Sequence, residues 1–335
     1  MSRKQVHVGI IGVGSVWESR YQPALAQLRD RIQVAAVSDA ISLRAQQVAR
    51  SLNCDAVDGA LQMAHRHNLH AILLLETGWY GNELLRLLLR TGKPIFVAAS
   101  LGSNCDEINR LRQRIETAGT IVVPEFAQRY TPASGRFQEL LATRLGQPHQ
   151  ITMDAVVPNL KHRSEIDTQM ELLANLFDWC HRIIRSSPHD MQVKLRMPTD
   201  SPTGWNAKFT DLEVLLEYPQ AADPDHTIYV GIRLRTLAGN LATKQPGVPA
   251  TASILYEATC EHGHVMMNSE TDIAWNVDDN VTRESLTTDD SSIEVMLDHF
   301  CRRVVGGLIP VADLTDVARS VGLALQVKEA LLEGR

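Results

Sequence analysis

The first third of the chain alternates between short apolar runs and longer amphipathic stretches. The apolar runs predict strands at 6–11, 33–37, 70–76, 94–98 and 120–124. The stretches between them carry apolar residues at helical spacing and predict helices at 42–52, 81–91 and 104–118. Strands that alternate with helices in this way indicate a doubly wound, parallel sheet.

Beyond about residue 128 the pattern changes to longer strands. Residues 228–235 alternate apolar side chains with Tyr, Gly and Arg, which is typical of an antiparallel strand buried on one face. Related segments predict strands at 150–157, 209–218, 226–237, 251–260 and 264–268. Helices are predicted at 165–185, 291–305 and 313–333.

A glycine-containing turn directly follows the first predicted strand. It consists of Gly12, Val13, Gly14, Ser15, Val16 and Trp17. The first glycine permits a tight turn, the second lets the backbone approach a pyrophosphate, and the next helix presents free N–H groups to the phosphates. Trp17 stands at the third position of this fingerprint, where Gly or Ala is usual. The turn predicts a dinucleotide site; the alternative is an ordinary strand–turn–helix unit whose glycines serve packing.

An acid and two further residues extend this predicted site. Asp39 ends the second strand about 25 residues after Gly14, near the spacing of an acid that binds the ribose 2′-hydroxyl. Because such an acid repels a 2′-phosphate, we expect NAD rather than NADP as cofactor. Thr77 and Ala98 follow two other strands at the same carboxyl edge of the sheet. Residues 1–125 are therefore predicted to form a Rossmann dinucleotide-binding domain.

The second predicted domain spans residues 126–335. It is expected to be an α+β domain with a large, mostly antiparallel open sheet and helices on one face. The uncovered face is expected to pair with another copy of the chain, giving a homodimer or homotetramer. Together the two domains give an α/β protein.

Composition and charge exclude several classes of function. The net charge of −6 gives no support for nucleic-acid binding. No apolar run approaches the roughly 20 residues that a membrane helix needs. The N-terminus shows no signal-peptide pattern, and the five cysteines are scattered and odd in number. We expect a cytoplasmic protein with reduced thiols and a small-molecule partner.

Six short motifs spread over nearly the whole chain point to one family. They include Val8-Gly9-Ile10-Ile11-Gly12-Val13-Gly14, Pro23-Ala24-Leu25, Gly92-Lys93-Pro94, Gln128-Arg129-Tyr130-Thr131-Pro132, Leu145-Gly146-Gln147-Pro148 and the stretch from Phe300 to Pro310. The chain resembles the Gfo/Idh/MocA oxidoreductases, which are named for glucose-fructose oxidoreductase and inositol dehydrogenase. The resemblance implies NAD(P)-dependent hydride transfer on a sugar, cyclitol or related polyol.

The chain departs from this family pattern at two strand ends. The family's Glu-Lys-Pro, whose lysine positions substrate and supports proton transfer, is replaced here by Ala98-Ala99-Ser100. Ala99 therefore removes the ammonium group from that loop. Where the family often has Thr-Pro-Asn, this chain has Glu76-Thr77-Gly78-Trp79. Glu76 adds negative charge near the expected ribose or phosphates and opposes tight cofactor binding.

The resemblance also implies a catalytic histidine. His181 aligns with the family's acid/base histidine, but the usual partner position four residues earlier is Phe177. Asp178 lies three residues before His181, and positions i and i+3 share a helix face. A histidine changes its charge near neutral pH and can shuttle a proton when a carboxylate orients it. The alternative is a helix-face histidine with a chance acidic neighbour.

Other candidates have simpler explanations. Lys161 and His162 are candidates to replace the missing lysine, although an exposed polar loop is the favoured explanation for them. Arg129 matches a family position near the cleft, and a structural ion pair explains it as well. The run from Cys260 to His264 resembles a metal cluster, but neighbouring side chains of a hairpin point to opposite faces, and no metal is expected.

Two hypotheses of different class follow. The first is an NAD-dependent oxidoreductase that uses His181 as acid/base, with water or a loop residue in place of the lysine. The second is a non-catalytic family member that binds a dinucleotide or sugar as a sensor or assembly subunit. Ala99, Phe177 and Glu76 favour the second hypothesis, and the glycine turn with Asp39 is compatible with both.

Overall fold

The computed structural model describes residues 5–14, 16–98, 104–157, 165–196, 211–220, 227–236, 253–278, 280–306 and 308–333. Ser15, Ala99, Lys161 and His162 lie outside these residues. The chain divides into two compact units. The first comprises Met1–Ala127 with Asp290–Gly322, and the second comprises Gln128–Asp289 with Leu323–Arg335.

The first unit contains a parallel six-stranded sheet. Its strands are β1 (Val6–Ile11), β2 (Ile32–Ser38), β3 (Asp55–Ala56), β4 (Ala71–Leu74), β5 (Ile95–Val97) and β6 (Val122–Pro124). Their spatial order is β3-β2-β1-β4-β5-β6. The order reverses between β1 and β4, which is where ligands bind in open sheets of this kind.

Helices connect these strands, as the apolar spacing predicts. They are α1 (Gln22–Gln27), α2 (Ser42–Leu52), α3 (Ala60–Ala64), α4 (Asn82–Leu88) and α5 (Cys105–Ala118). β4 is buried at all four positions because helices cover both faces of a parallel sheet. The side chain of Asn104 starts α5 by accepting hydrogen bonds from the N–H groups of Asp106 and Glu107.

The second unit contains a mixed eight-stranded sheet and helices that pack against it. The elements are α6 (Pro132–Leu140), β7 (Pro148–Val157), α7 (Glu165–Ile184), β8 (Asp190–Arg196), β9 (Asp211–Pro219), β10 (Thr227–Thr236), β11 (Ser253–Cys260), β12 (Gly263–Met267), β13 (Asp272–Val277) and β14 (Asn280–Ser285). The strand order is β14-β13-β12-β11-β7-β10-β9-β8. β7 and β10 run parallel, and the other neighbouring pairs are antiparallel.

Residues along β9 alternate between buried and half-buried, so this strand buries one face only. The buried face packs with α6 and α7 through Phe137, Leu176 and Phe177. The predicted fold class is confirmed: a Rossmann-type parallel sheet is joined to a second, mostly antiparallel sheet.

Of the two C-terminal helices, the first belongs to the first unit and the second is divided between the units at Gly322. These are α8 (Ser292–Val304) and α9 (Leu314–Glu333). α8 belongs to the first unit: the rings of Phe300 and Phe96 lie 5.8 Å apart, and Asp298 forms an ion pair with Arg31. The sequence prediction had placed 290–322 in the second domain. The difference arises because helical periodicity marks an apolar face without identifying the core that it joins.

None of the described helices is both long enough and apolar enough to cross a membrane.

Candidate dinucleotide and catalytic sites

The glycine turn lies at the carboxyl end of β1. Gly12 has φ +83°, a left-handed conformation that L-residues with a side chain rarely adopt. Its N–H donates to the Ser38 carbonyl at 2.9 Å, and a Cβ at this position would lie 2.5 Å from the Cβ of Glu76. The turn thus requires glycine at position 12 for both conformation and space.

Asp39 closes the turn from the end of β2. Its Oδ2 accepts a hydrogen bond from the Val13 N–H at 2.7 Å, and its Oδ1 accepts one from the Ile41 N–H at 2.8 Å. The Arg44 guanidinium lies 3.6 Å from Oδ1, and the Asp39 side chain is 3 % exposed. The predicted turn and acid are therefore in direct contact, and Arg44 partly balances the charge of the acid.

A π-helical segment, Trp17–Tyr21, follows the turn, with Val16 at its N-cap. Trp17 is 2 % exposed and Tyr21 is fully buried. Trp17 therefore packs in the interior of the first unit at the position where the fingerprint has Gly or Ala. π-helical turns are frequent at functional sites, and this one directly follows the glycine turn.

Tyr21 and Arg20 of the π-helical segment both bind Glu125, which follows β6. The Tyr21 hydroxyl and the Arg20 guanidinium donate to separate oxygens of the Glu125 carboxylate. Burial, followed by the charge of Glu125, raises the pKa of Tyr21 well above its ordinary value. This cluster holds the segment to the carboxyl edge of the sheet. The sequence offered no signal for it, because about 100 residues separate the partners.

Glu76 packs over the glycine turn. A Cβ built on Gly14 would collide with both oxygens of the Glu76 carboxylate. The contact follows from strand pairing: β1 and β4 run parallel and align Ile11 with Leu74, so the segments just beyond the two strands lie side by side. The space above Gly14 is therefore occupied by a side chain of this protein.

Two more predicted cofactor residues lie at the same edge. Thr77 precedes a 3₁₀ turn, Gly78–Tyr80, and Ala98 follows β5, where its N–H donates to the Leu74 carbonyl at 2.9 Å. Trp79 in the 3₁₀ turn is 86 % exposed. The first unit therefore brings Gly12, Val13, Gly14, Val16, Asp39, Thr77 and Ala98 to one edge of its sheet.

The two predicted catalytic residues lie in the second unit, on α7. Asp178 accepts two hydrogen bonds from the Arg129 guanidinium, including Nε to Oδ2 at 2.8 Å, in a bidentate ion pair. The Arg129 and Asp178 side chains are 6 % and 4 % exposed. Burial and the nearby Arg129 also lower the pKa of the Arg182 guanidinium. The ion-pair interpretation of Arg129 is therefore the one observed.

His181 contacts a backbone carbonyl. Its Nδ1 lies 3.1 Å from the Ser186 carbonyl oxygen. Because a carbonyl oxygen only accepts, Nδ1 carries the proton, and in the neutral ring Nε2 holds the lone pair. This contact orients the imidazole in the way that a carboxylate partner was expected to.

The histidine-rich hairpin has a structural role. Cys260 ends β11 and is buried, and burial followed by the charge of Glu261 raises the pKa of its thiol to about 12. The His264 N–H donates to the Asn276 side chain at 2.8 Å, which ties β12 to β13. Within the described ranges, no three His, Cys, Asp or Glu residues are grouped so that they could hold a metal ion.

A dinucleotide fits most of the sheet edge in the first unit. The tight turn at Gly12 and the acid at the end of β2 match what the ribose and pyrophosphate require. The Glu76 carboxylate above Gly14 would have to move aside. The carboxyl edge of the first sheet therefore has the turn and the acid that a dinucleotide requires, with the Glu76 side chain lying over Gly14.

Comparison with known proteins agrees with this geometry. Residues 6–126 match the model of the Gfo/Idh/MocA oxidoreductase family, described as an NAD-binding Rossmann fold. None of the curated proteins matches the chain in sequence.

Solved structures resemble the chain over its full length. UDP-N-acetylglucosamine 3-dehydrogenase from Acidithiobacillus ferrooxidans is 14 % identical, with a TM-score of 0.76 and coverage of 98 % of each chain. A putative myo-inositol dehydrogenase from Sinorhizobium meliloti is 15 % identical, with a TM-score of 0.76 over 99 % of this chain and 98 % of that one. A 3-ketoreductase from Actinomadura kijaniata, solved with NADP and TDP-benzene, is 15 % identical, with a TM-score of 0.75 and 98 % coverage of each.

The family model matches residues 6–126, and at these identities the solved structures show the fold alone. The resemblance indicated by the motifs is confirmed for residues 6–126, which match the family's NAD-binding Rossmann domain, and the chain as a whole has the same fold as these solved structures.

Proposed function

We propose that the protein is an NAD-dependent oxidoreductase that acts on a sugar, a cyclitol or a related polyol. The observation that carries the proposal is the hydrogen bond from the Val13 N–H to the Asp39 carboxylate at the switch point of the parallel sheet. It joins the glycine turn to the acid that would bind the ribose, which are the two parts of a dinucleotide site that must act together.

The proposed cofactor-binding residues all belong to the first unit. They are Gly12, Val13, Gly14, Ser15, Val16, Trp17, Asp39, Thr77 and Ala98. The turn would receive the pyrophosphate, and Asp39 the adenosine ribose. When bound, the dinucleotide supplies a hydride acceptor or donor. NAD is proposed over NADP because the Asp39 carboxylate repels a 2′-phosphate, and the single Arg44 contact at 3.6 Å offsets this only in part.

His181 is proposed as the acid/base residue. Its Nδ1 donates to the Ser186 carbonyl, and Nε2 is the proposed acceptor of a proton from a substrate hydroxyl as hydride leaves the same carbon. Asp178 is a positioning residue in this proposal, because its ion pair with Arg129 anchors α7 one turn before His181. With Ala99 in place of the family's lysine, proton transfer depends on His181 and on water or a loop residue.

The partners in the proposal are a small-molecule polyol or sugar and a second copy of the chain. The face of the large sheet away from α6 and α7 carries Arg233 paired with Asp211, and Arg235 paired with Asp154. We propose this face as the contact of a homodimer or homotetramer. All five cysteines are free thiols, which supports a reducing, cytoplasmic location.

The non-catalytic alternative, a sensor or assembly subunit, is not favoured by the comparisons, since the relatives with the same fold are described as dehydrogenases and a reductase.

Calorimetric titration of cofactor-stripped protein with NADH and, separately, with NADPH tests the proposal. We expect NADH to bind with a Kd in the micromolar range, and NADPH to bind about tenfold more weakly because of Asp39. Equal binding of both would overturn the preference for NAD. No binding of either would overturn the proposed function.

A further inference from the structure

The glycine turn of the first unit is covered by a single acidic side chain. Glu76 lies beside Gly12 through its backbone and Cβ, and its carboxylate continues over Gly14. Gly14 is the glycine at which the backbone has to be bare for a pyrophosphate to approach. The carboxylate of Glu76 therefore stands on the surface that a phosphate group would contact.

This carboxylate differs from its neighbour Asp39 in its surroundings. Asp39 receives two backbone N–H groups and lies close to a guanidinium. Across the parts of the chain that the structure describes, which omit Ser15, the Glu76 carboxylate has neither a hydrogen-bond donor nor a cationic partner. No described group forms an ion pair with this carboxylate, and a carboxylate at this position repels an anion brought to Gly14.

We infer that Glu76 is an internal competitor of the pyrophosphate, so that the chain binds a dinucleotide only when this carboxylate swings away from Gly14. The inference rests on the proposed function, because it concerns the same cofactor site. Two effects oppose the ligand while Glu76 is in place: the carboxylate fills the volume above Gly14, and it repels the two phosphate charges. Glu76 thereby sets the affinity of the site for pyrophosphate ligands without touching the adenosine end.

Titration of variants with NADH, ADP-ribose and adenosine tests this inference. Glu76→Gln removes the charge and keeps the size, whereas Glu76→Ala removes both. We expect NADH and ADP-ribose to bind about tenfold more tightly to Glu76→Gln, and about 10- to 100-fold more tightly to Glu76→Ala. Adenosine, which has no phosphate, is expected to bind all forms equally.

Glu116→Gln is the matched control. Glu116 is exposed near the end of α5, close to the opposite edge of the sheet, so this variant removes the same charge without changing the turn. It should bind every ligand as the unchanged protein does. Thermal unfolding of each variant establishes that it is folded before titration.

The outcomes separate this inference from the proposed function. Binding of NADH to the unchanged protein with no gain in either Glu76 variant overturns the inference and leaves the proposed function in place. Equal tightening of adenosine also overturns it, since the effect would then not depend on phosphate. Absence of NADH binding to every form overturns both. Binding only after Glu76 is replaced supports the inference and overturns the proposed function, because the unchanged protein then holds no cofactor.

Discussion

Two buried acids in the two units are held in different ways. Asp39 in the first unit binds backbone N–H groups of Val13 and Ile41, which remain whatever side chains those residues carry. Asp178 in the second unit binds the guanidinium of Arg129. The two side chains are about equally buried, at 3 % and 4 % exposed.

The two arrangements predict different losses of stability when the acid or its partner is substituted. An acid that binds backbone groups braces a turn, and any residue with a suitable acceptor can do part of that work. An acid that forms a buried ion pair depends strongly on its cation, because losing that cation removes the main stabilisation of a charge in a medium of low dielectric constant. Substitution of Asp39 should therefore lower the free energy of unfolding only slightly, whereas substitution of Arg129 should lower it strongly.

The largest expected effect separates chemistry from cofactor binding. On a polyol identified by screening with NAD, His181→Asn should lower kcat about 10²- to 10⁴-fold, because the proton acceptor is lost. NADH affinity should stay within about twofold, since the proposed cofactor-binding residues all lie in the first unit. Steady-state kinetics and titration of the same preparation check this. A variant that retains full kcat would exclude His181 as the acid/base.

The second-largest expected effect is a loss of stability on substitution of Arg129. Arg129→Met leaves Asp178 buried without its guanidinium and should lower the free energy of unfolding by about 3–5 kcal/mol. The double variant Arg129→Met with Asp178→Leu removes both charges and should recover most of that loss. Urea unfolding of the three proteins measures both quantities. If the single and double variants unfold at the same urea concentration, loss of the ion pair at the buried Asp178 carboxylate is not the cause.

The smallest expected effect is a loss of stability on substitution of Asp39. Asp39→Asn keeps one side-chain oxygen and should retain one of the two backbone hydrogen bonds, so the free energy of unfolding should fall by about 1–2 kcal/mol. Asp58→Asn is the control, because Asp58 accepts a hydrogen bond from Ser42 in an exposed position and should change stability by about 0.5 kcal/mol or less. Equal losses in the two variants would contradict the bracing role of Asp39.

The sequence predicts features that depend on neighbouring residues, and it does not predict contacts between residues far apart in the chain. The turn at Gly12 and the acid at Asp39 were predicted because conformation and strand ends leave short-range marks in the sequence. The contact of Glu76 with Gly14 needs the register of β1 against β4, which no short segment determines. The pair of Arg129 and Asp178 likewise joins residues 49 positions apart.

The second sheet shows the same limit. Alternation along β10 predicted a strand buried on one face, and both β10 and its neighbour β7 are observed to bury one face. Period-2 alternation is the same in parallel and antiparallel pairs, so it did not reveal that these two strands run parallel. The third position of the fingerprint was read from sequence as a departure, but only the packing shows Trp17 in the interior.

The division of the chain also affects how the protein is made. The core of the first unit includes Ala312, Leu314 and Val317, which the ribosome adds after the whole second unit except its last residues. At typical synthesis rates the N-terminal strands wait roughly 10–40 s for these side chains. During that interval part of the apolar surface of the nascent Rossmann sheet is uncovered. Exposed apolar surface of this kind favours aggregation and is what chaperones bind.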